Sequence, residues 1–371
     1  MPILIFIIVL GILIFVHELG HFVFAKKTGM LVEEFAIGFP PRIFSFQKGE
    51  TKYSIGLIPI GGFVKIHGED YEDKDKRDNQ KEKDKNYQRR FTSSPKWAQA
   101  VVLIAGVSFN LLLAWSFISI GFMLGLPVSI NQFENEVVND VRLVLINVLP
   151  KSPAEQAGLK TGDIILSLGD EVANVVQNFE SAKIAEDYIA VHGNQKIEVL
   201  YKRNQETILT KLTPQEGIVE GKPAIGVSFG MIGIIKFPVG VAFWEGLKTT
   251  YSLTVATVIG LFYFVKDLLV GSADLSQVAG PVGIIFMVGN AFSFGFIYLL
   301  SFVALISINL AVINLIPIPA LDGGRLLFVL IEAIKRSPLK AKTVNGLNFI
   351  GFAFLILLML AVTFSDVIKF F

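Results

Sequence analysis

The chain has 371 residues, of which 52% are hydrophobic, and a formal net charge of +1. This composition predicts a multi-pass membrane protein with a polar module, and the near-neutral charge argues against nucleic acid as a partner. The sequence contains no cysteine, which excludes disulfides, thiolate metal ligands and cysteine nucleophiles. With four histidines in the sequence, a metal site is expected to need carboxylate ligands too.

The first apolar stretch, at about 3–25, is long enough to cross a bilayer as a helix. It contains His17, Glu18 and His21 in a His-Glu-x-x-His pattern. Residues four apart share one face of a helix, so both imidazoles can bind one metal ion, with Glu18 beside them to accept a proton from water. Ionisable groups at membrane depth are costly unless they are paired or ligated. We therefore predict a catalytic metal site here, with Glu18 as the base.

The depth of this motif follows from its place in the span. A helix rises about 21 Å from Ile3 to His17, so the motif lies in the last third of a ~30 Å hydrocarbon layer. Lys26 and Lys27 follow at once, and the positive-inside bias then assigns this end to the cytoplasm. We expect the active site near the cytoplasmic side of the membrane and the N-terminus outside.

Residues at about 37–66 alternate between apolar and polar in two runs, 42–47 and 51–57, joined by Lys48-Gly49-Glu50. This pattern predicts a β-hairpin. The hairpin continues into an apolar segment with Gly61 and Gly62 that can lie at the membrane surface or dip into it. A surface hairpin with no role towards substrate is the alternative. The dense mixture of charges at 69–90 predicts a cytosolic loop.

A second apolar span is expected at about 98–124, which completes an N-terminal membrane half at 1–127. Residues 128–232 are expected to form a soluble domain, because the stretch at about 141–229 has soluble periodicity throughout. Ser152-Pro153-Ala154-Glu155 is a helix-capping sequence with proline at the first helical position. Strands are predicted at 144–149, 164–168, 196–203 and 207–212, and a helix at 179–191.

Residues 151–165 of this domain resemble the signature of a PDZ domain. The resemblance implies a groove that binds an extended chain along a sheet edge and captures a terminal carboxylate. Ile225-Gly226-Val227 resembles the carboxylate-binding loop of a circularly permuted PDZ domain. An ordinary core strand is the alternative at these three residues.

The C-terminal membrane half, 233–371, has apolar stretches at about 239–270, 294–317 and 346–367. Asp322 comes shortly after the second of the three. A carboxylate with two imidazoles leaves the fourth tetrahedral position of Zn²⁺ open for water, so Asp322 is the expected third ligand. A simple Asp-Gly-Gly turn is the alternative.

Joining Asp322 to the histidines constrains the topology, because an odd number of crossings must separate the external domain from Asp322. The stretch at 239–270 carries Glu245, Lys248, Lys266 and Asp267. We therefore expect it to form an amphipathic helix that lies along the outer membrane face and does not span the membrane. A hidden partial crossing elsewhere is the alternative. The chain then has four transmembrane helices, with both termini outside.

His17-Glu18-Leu19-Gly20-His21-Phe22, Leu321-Asp322-Gly323-Gly324 and the PDZ signature between them resemble the site-2 protease family of intramembrane zinc metalloproteases, closest to its bacterial RseP-like group. The resemblance implies a polytopic α-helical protein of the bacterial inner membrane. A membrane-reentrant β-hairpin and an inserted, extracytoplasmic (periplasmic) α+β PDZ domain are implied with it.

The resemblance extends to further residues. Ala105-Gly106-Val107-Ser108-Phe109-Asn110 is similar to a Gly-Pro-x-x-Asn element of the family, although Val107 stands where proline is usual. The hairpin with Gly61 and Gly62 implies a substrate-binding edge, and Asn314 is implied to contact substrate. Side-chain amides can bond to the backbone of an unwound substrate, so Asn110 is a further substrate-binding candidate.

The activity implied is zinc-dependent cleavage within the transmembrane segment of single-span membrane proteins, such as anti-sigma factors or signal-peptide remnants. An upstream site-1-type protease would first trim the substrate outside, and the PDZ domain would act as a filter. Two alternatives are a catalytically inactive, membrane-anchored PDZ adaptor, which does not explain Glu18 beside two histidines, and a zinc transporter, which needs polar residues spread over several spans.

Overall fold

The structure, a computed structural model, describes residues 1–69, 84–130, 138–170, 175–177, 179–203, 206–219, 221–272 and 278–370. Most of the charged loop expected at 69–90 lies outside the described residues. The chain divides into two compact units. The first comprises Met1–Ile120, Phe243–Phe292 and Leu299–Phe371, and the second comprises Gly121–Ala242 and Ser293–Tyr298. The domain boundaries expected at 127/128 and 232/233 stay a prediction.

The described residues form both long apolar α-helices and shorter ones. They are α1 (Pro2–Lys27), α2 (Lys96–Leu124), α3 (Pro153–Gln156), α4 (Ala182–Val191), α5 (Val239–Val270), α6 (Pro281–Phe294), α7 (Phe296–Leu315), α8 (Asp322–Lys335) and α9 (Ala341–Phe370). Five of them, α1, α2, α5, α7 and α9, are long and apolar enough to cross a membrane by length and composition. The chain is therefore a multi-pass membrane protein.

The expected spans 3–25, 98–124, 294–317 and 346–367 correspond to α1, α2, α7 and α9. The fifth candidate is α5, for which a non-spanning position was expected. Its most apolar window has a mean hydropathy of 1.3, against 2.2 to 2.7 in the other four helices. In the structure α5 contacts α2, where Trp115 Nε1 donates to the carbonyl oxygen of Phe243 at 2.9 Å, and α7, where Thr257 Oγ1 donates to Asn309 Oδ1 at 3.3 Å. The number of four spans is not confirmed and stays a prediction.

Strands β1 (Val32–Lys48) and β2 (Thr51–Ile66) form the expected hairpin, since Lys48 pairs with Thr51. The first half of β1 lies between two parts of β2, because Glu34 pairs with both Lys52 and Lys65. Among the described residues, the part of β2 at 62–66 pairs on one side only, so it forms an edge of this sheet.

The buried carboxylate of Glu34 connects the two strands of the hairpin by hydrogen bonds. The side chain of Glu34 accepts hydrogen bonds from Arg42 Nε at 2.8 Å, Arg42 Nη2 at 2.6 Å and Ser54 Oγ at 2.5 Å. The far end of the hairpin exposes large apolar side chains, including Ile43 and Phe44. These exposed side chains are compatible with insertion into a bilayer, and the reentrant position stays a prediction.

The second unit contains a mixed α/β structure built on one large sheet. Its strands are β3 (Leu126–Ser129), β4 (Asn139–Val148), β5 (Ile164–Asp170), β6 (Val175–Gln177), β7 (Ile197–Arg203), β8 (Glu206–Leu212), β9 (Gln215–Val219), β10 (Lys222–Ala224) and β11 (Val227–Ile235). The large sheet has the order β3-β11-β4-β5-β7-β8, with β6 paired to β5, while β9 and β10 form a separate pair. Its core includes Leu145, Leu168, Ile197 and Val199.

The capping sequence behaves as predicted. Ser152 is the N-cap of α3, and its Oγ accepts from the backbone N–H of Glu155 at 3.2 Å. The Glu155 carboxylate in turn accepts from the backbone N–H of Lys151 at 2.6 Å, one residue before the N-cap. These bonds satisfy two backbone donors at the start of the helix. The predicted strands and the helix at 179–191 match β4, β5, β7, β8 and α4 within a few residues, except that β4 begins at Asn139.

Candidate metal centre

His17, His21 and Asp322 lie together in the first unit. Asp322 Oδ2 is 3.1 Å from His17 Nε2 and 3.2 Å from His21 Nε2, and the two Nε2 atoms are 3.2 Å apart. Both histidines are buried, and the carboxylate is half-buried. Residues more than 300 positions apart in sequence therefore contribute three ligand-type atoms to one point.

The distances fit a tetrahedral zinc ion. Zinc bonds of about 2.0–2.1 Å place neighbouring ligand atoms roughly 3.3 Å apart, close to the observed spacing. Asp322 Oδ2 is buried and has no hydrogen-bond partner among the described residues. Lone pairs that face one another at this distance repel, whereas a cation between them satisfies all three atoms. The donor set of two imidazoles and one carboxylate is one that zinc accepts while keeping a fourth position open.

Local sequence explains how Asp322 reaches the histidines. Pro317 and Pro319 stand in the connection after α7, and α8 begins at Asp322 itself. A β-carbon at Gly323 would lie 2.3 Å from the carbonyl oxygens of Leu315 and Ile316, and one at Gly324 would lie 2.2 Å from the carbonyl oxygen of Ile318. The two glycines therefore let the first turn of α8 pack directly on the preceding backbone. The Asp-Gly-Gly turn and the candidate ligand coexist in the same segment.

Helix α2 fixes the orientation of His21. The Nδ1 of His21 donates to the carbonyl oxygen of Val102 at 2.8 Å, because a carbonyl can only accept. This bond leaves the lone pair on Nε2, the atom that faces Asp322. The two helices approach closely at this level, since a β-carbon at Gly20 would be 2.5 Å from the carbonyl oxygen of Ala105. At Gly106 a β-carbon would be 2.4 Å from His21 Nε2.

Glu18 lines a cavity of about 690 Å³ together with the three ligand candidates. Other walls come from the β2 edge at 63–66 and from α9, which contributes Phe349 and Phe352. A β-carbon at Gly62 would be 3.3 Å from Glu18 Cγ. An ion pair between Arg325 and Glu69 lies in the same cavity. The arrangement offers a carboxylate base, a metal position and a strand edge within one space.

The remaining predicted substrate residues have different surroundings. Asn110 is fully buried, and its Nδ2 lies 3.2 Å from His17 Nδ1. Asn314 is half-buried in the last turn of α7. Gly61 has a φ of +115°, and a β-carbon there would be 2.3 Å from the ring of Phe39. Of these residues, Asn110 is brought to the metal centre, and Gly62 is brought to Glu18.

The predicted carboxylate-binding loop of the second unit is tied to its own core. Ile225 is 2% exposed, and its carbonyl oxygen accepts from the backbone N–H of Ala154 at 3.0 Å. Gly226 has a φ of +78° and accepts from the backbone N–H of Leu149 at 2.8 Å, while Val227 begins β11. Both interpretations of this segment, a carboxylate-binding loop and a core strand, therefore stay open.

Sequence reasoning did not identify Val102, and it named Gly106 only as part of the element that resembles Gly-Pro-x-x-Asn, with no role of its own. A backbone carbonyl acceptor leaves no trace in the residue type, so nothing in the sequence singles out Val102. Gly106 had a signal: it follows Ala105 and occurs in a long apolar helix, where small residues commonly mark a close helix crossing.

Comparison with known proteins gives a family match over most of the chain. The family model described as peptidase family M50 matches residues 5–358. A protein named regulator of sigma-W protease RasP, from Bacillus subtilis, is 33% identical over 100% of this chain and 99% of its own length. A zinc metalloprotease RasP from Oceanobacillus iheyensis is 31% identical over 99% of this chain and 98% of its own length.

A solved structure is similar to part of the chain. It is the PDZ domain of an SdrC-like protein from Listeria monocytogenes, which is 23% identical, with a TM-score of 0.21. The match covers 25% of this chain and 92% of that domain.

Proposed function

Because the chain belongs to peptidase family M50 and is a multi-pass membrane zinc metalloprotease, we propose that it hydrolyses a peptide bond inside the transmembrane segment of single-span membrane proteins. His17, His21 and Asp322 hold the zinc ion in this proposal, and Glu18 is the catalytic residue. The observation that carries it is the meeting of Asp322 Oδ2 with both Nε2 atoms, at 3.1 and 3.2 Å, beside Glu18 on an apolar helix.

The chemistry divides between the ion and the side chains. A bound zinc ion supplies Lewis acidity, which polarises the scissile carbonyl and lowers the pKa of water. Glu18 takes the proton from the attacking water and delivers it to the leaving amine. The hydrogen bond from His21 Nδ1 to Val102 holds that imidazole in its ligating orientation throughout the reaction.

A substrate helix must unwind before it can be cut, because its amides are hidden in its own hydrogen bonds. Unpaired backbone groups in lipid cost several kcal/mol each, so the enzyme has to offer partners. The edge of β2 at 62–66, of which residues 63–66 line the cavity with Glu18, supports a role in pairing with the extended segment. The amide of Asn314 is a second candidate contact. Weak helix formers in the substrate span favour cleavage for the same reason.

We place the active site near the cytoplasmic face of the membrane and the second unit on its extracytoplasmic (periplasmic) side. Lys26 and Lys27 directly after α1, and Lys335 and Arg336 at the end of α8, support this orientation. The charged residues of α5 and its lower mean hydropathy support four spans, with α5 outside the hydrocarbon layer. The second unit is proposed to be a PDZ domain that screens substrates by size or by their new C-termini.

The place of the cut in a pathway is also a proposal. The Bacillus subtilis relative is named as a regulator of sigma-W protease. For this chain we propose anti-sigma-factor-type substrates, or signal-peptide remnants, whose external part has first been removed by a site-1-type protease. A substrate that retains its intact ectodomain is expected to be cleaved more slowly than the trimmed form.

The decisive experiment replaces Glu18 by Gln in the full chain and measures both zinc content and cleavage of a model single-span substrate. We expect unchanged zinc per chain and a loss of cleavage of at least about 100-fold, since general acid–base catalysis contributes that much or more. Glu245→Gln in α5 is the matched control and should retain cleavage. Zinc loss in Glu18→Gln, or cleavage that persists, contradicts the role of Glu18. An unmodified chain that binds zinc and cleaves nothing favours the inactive adaptor.

A further inference from the structure

One face of α2 contacts both candidate histidine ligands although α2 contributes no ligand. Val102, Gly106 and Asn110 follow one another at intervals of four residues, so they share this face. Val102 accepts from His21, Gly106 lies against both imidazoles, and Asn110 faces His17. The face therefore meets the two histidines in succession along the helix.

The imidazole of His17 needs a hydrogen-bond acceptor at Nδ1, as His21 has in the carbonyl oxygen of Val102. If His17 offers the lone pair of Nε2 to a metal, its Nδ1 carries the proton and must donate it to an acceptor. The group that faces Nδ1 is the Asn110 amide, with Nδ2 at 3.2 Å. In this orientation two donors face each other, while Asn110 Oδ1 is buried and has no hydrogen-bond partner among the described residues.

Both mismatches disappear together when the amide is turned by half a rotation, which exchanges its nitrogen and oxygen without changing its shape. We propose that Asn110 is a positioning residue whose Oδ1 accepts the hydrogen bond from His17 Nδ1 and thereby fixes the tautomer that ligates the metal. This inference rests on the proposed zinc centre. It assigns Asn110 to the metal ligand rather than to the substrate backbone, for which a fully buried side chain is poorly placed.

The position of Asn110 is itself held by α7. Ser307 Oγ donates to the backbone carbonyl oxygen of Asn110 at 2.8 Å, and both residues are fully buried. These polar contacts link α1, which carries both histidines, through α2 to α7, the helix that precedes Asp322 in the chain. Hydrogen bonds between apolar helices stabilise such a packing.

The test compares two substitutions that differ in one property. Asn110→Asp keeps an acceptor for His17 Nδ1, whereas Asn110→Leu has nearly the same size and no acceptor. Zinc affinity is measured on the full chain in detergent micelles, without substrate, by competition with a chelator. Loss of such a partner typically weakens metal binding 10–100-fold, so we expect this range for Asn110→Leu and near-normal affinity for Asn110→Asp, roughly within a few-fold. Asn309→Leu is the control. It removes a side-chain amide from a different helix, α7, and should bind zinc normally.

Normal zinc affinity in Asn110→Leu overturns the proposal, and a raised KM in that variant returns Asn110 to substrate binding. Equal weakening in Asn110→Asp and Asn110→Leu also overturns it, because the acceptor would then be irrelevant. If Asn110→Leu does not fold, ¹⁵N-histidine NMR of the unmodified zinc-loaded chain decides. The proposal requires a proton on His17 Nδ1, and a proton on Nε2 refutes it. Failure of the proposed protease function would give a different result. The unmodified chain would cleave no substrate, although Asn110→Leu bound zinc more weakly than Asn110→Asp and the unmodified chain.

Discussion

Gly106 and His21 are in direct contact, and a β-carbon at position 106 would lie 2.4 Å from His21 Nε2. That distance is shorter than any van der Waals contact. The same β-carbon would also lie 2.9 Å from the His17 ring. The close approach of α1 and α2 therefore occurs at the level of the candidate ligands. The hydrogen atom of glycine is the largest group that fits.

Replacing Gly106 by Ala is expected to push the imidazoles away from Asp322. Zinc bound per chain should fall to a small fraction of normal, and cleavage should fall with it, because a ligand shifted by a few tenths of an ångström or more no longer completes the site. Metal analysis of the purified full chain measures this. Gly11→Ala in α1 is the control, since no atom lies within 4 Å of the added β-carbon. Full zinc occupancy in Gly106→Ala would show that the helices can separate without loss of the site.

A substitution at Gly62 is expected to act on catalysis and leave the metal in place. A β-carbon there would lie 3.0 Å from Ile14 Cγ2 and 3.3 Å from Glu18 Cγ. The branches of Val in Gly62→Val would displace Glu18, and a misplaced catalytic group can cost on the order of 100-fold in rate. We expect turnover to drop by about 10–100-fold, while the zinc content stays unchanged. Gly260→Val in α5, where the surroundings are open, is the comparison. Zinc loss in Gly62→Val would instead indicate a structural role.

The pH dependence of stability should reveal His67, which follows β2. Burial lowers its pKa, but hydrogen bonds to Glu33 at 2.6 Å and Asp84 at 2.7 Å outweigh burial and raise the pKa above its ordinary 6.5. Nearby charges are Lys65, paired with Glu33, and Arg90, 3.8 Å from Asp84. Because the pKa of His67 is raised by folding, its charge stabilises the folded state fully at pH values below the pKa of the unfolded state. This stabilisation is lost as pH rises through the pKa of the folded state.

His67→Gln should therefore melt below the unmodified chain at about pH 6, by an amount that corresponds to about 1 kcal/mol. The difference should shrink as the pH is raised to about 9, because the charge-dependent part of the stabilisation is lost as pH rises through the folded pKa. Thermal melting of the full chain in one detergent at the two pH values measures it, and the higher pH is the internal control. A difference that is constant with pH would refute a charged His67.

The position of α5 can be tested cleanly, because the sequence contains no cysteine. Lys236→Cys and Ser272→Cys introduce single thiols at exposed positions on either side of α5. If four helices span the membrane, an impermeant maleimide added to intact cells should label both. Labelling of Ser272→Cys only after permeabilisation would mean that α5 crosses, as its contacts with Trp115 and Asn309 allow, and that a compensating crossing precedes α7.

The sequence predicted those features that depend on residues only a few positions apart. The spacing of His17 and His21 predicts a shared helix face, Ser152 and Glu155 predict a cap, and Lys48-Gly49-Glu50 predicts a tight hairpin. Each depends on a period or a turn within a few residues. Asp322 was predicted differently, from the ligand count that zinc chemistry requires.

Contacts between distant segments could not be predicted in the same way. Glu34 pairs with two separate parts of β2, an arrangement that alternation along one strand does not encode. The apolar sequence around Gly295 continues without interruption, yet that residue, at a φ of +119°, separates α6 from α7. Asn110 was assigned to substrate from the resemblance of its segment and from its amide chemistry, and its contact with His17 could not be predicted, because nothing in the sequence indicates which helix faces His17. These features depend on the packing of helices and strands far apart in the chain.

The face of α2 formed by Val102, Gly106 and Asn110 has a consequence for judging related sequences. A homologue can keep every zinc ligand and the glutamate and still be a pseudoenzyme, if a bulkier residue stands where Gly106 stands here. Inventories of motif residues would count such a protein as active.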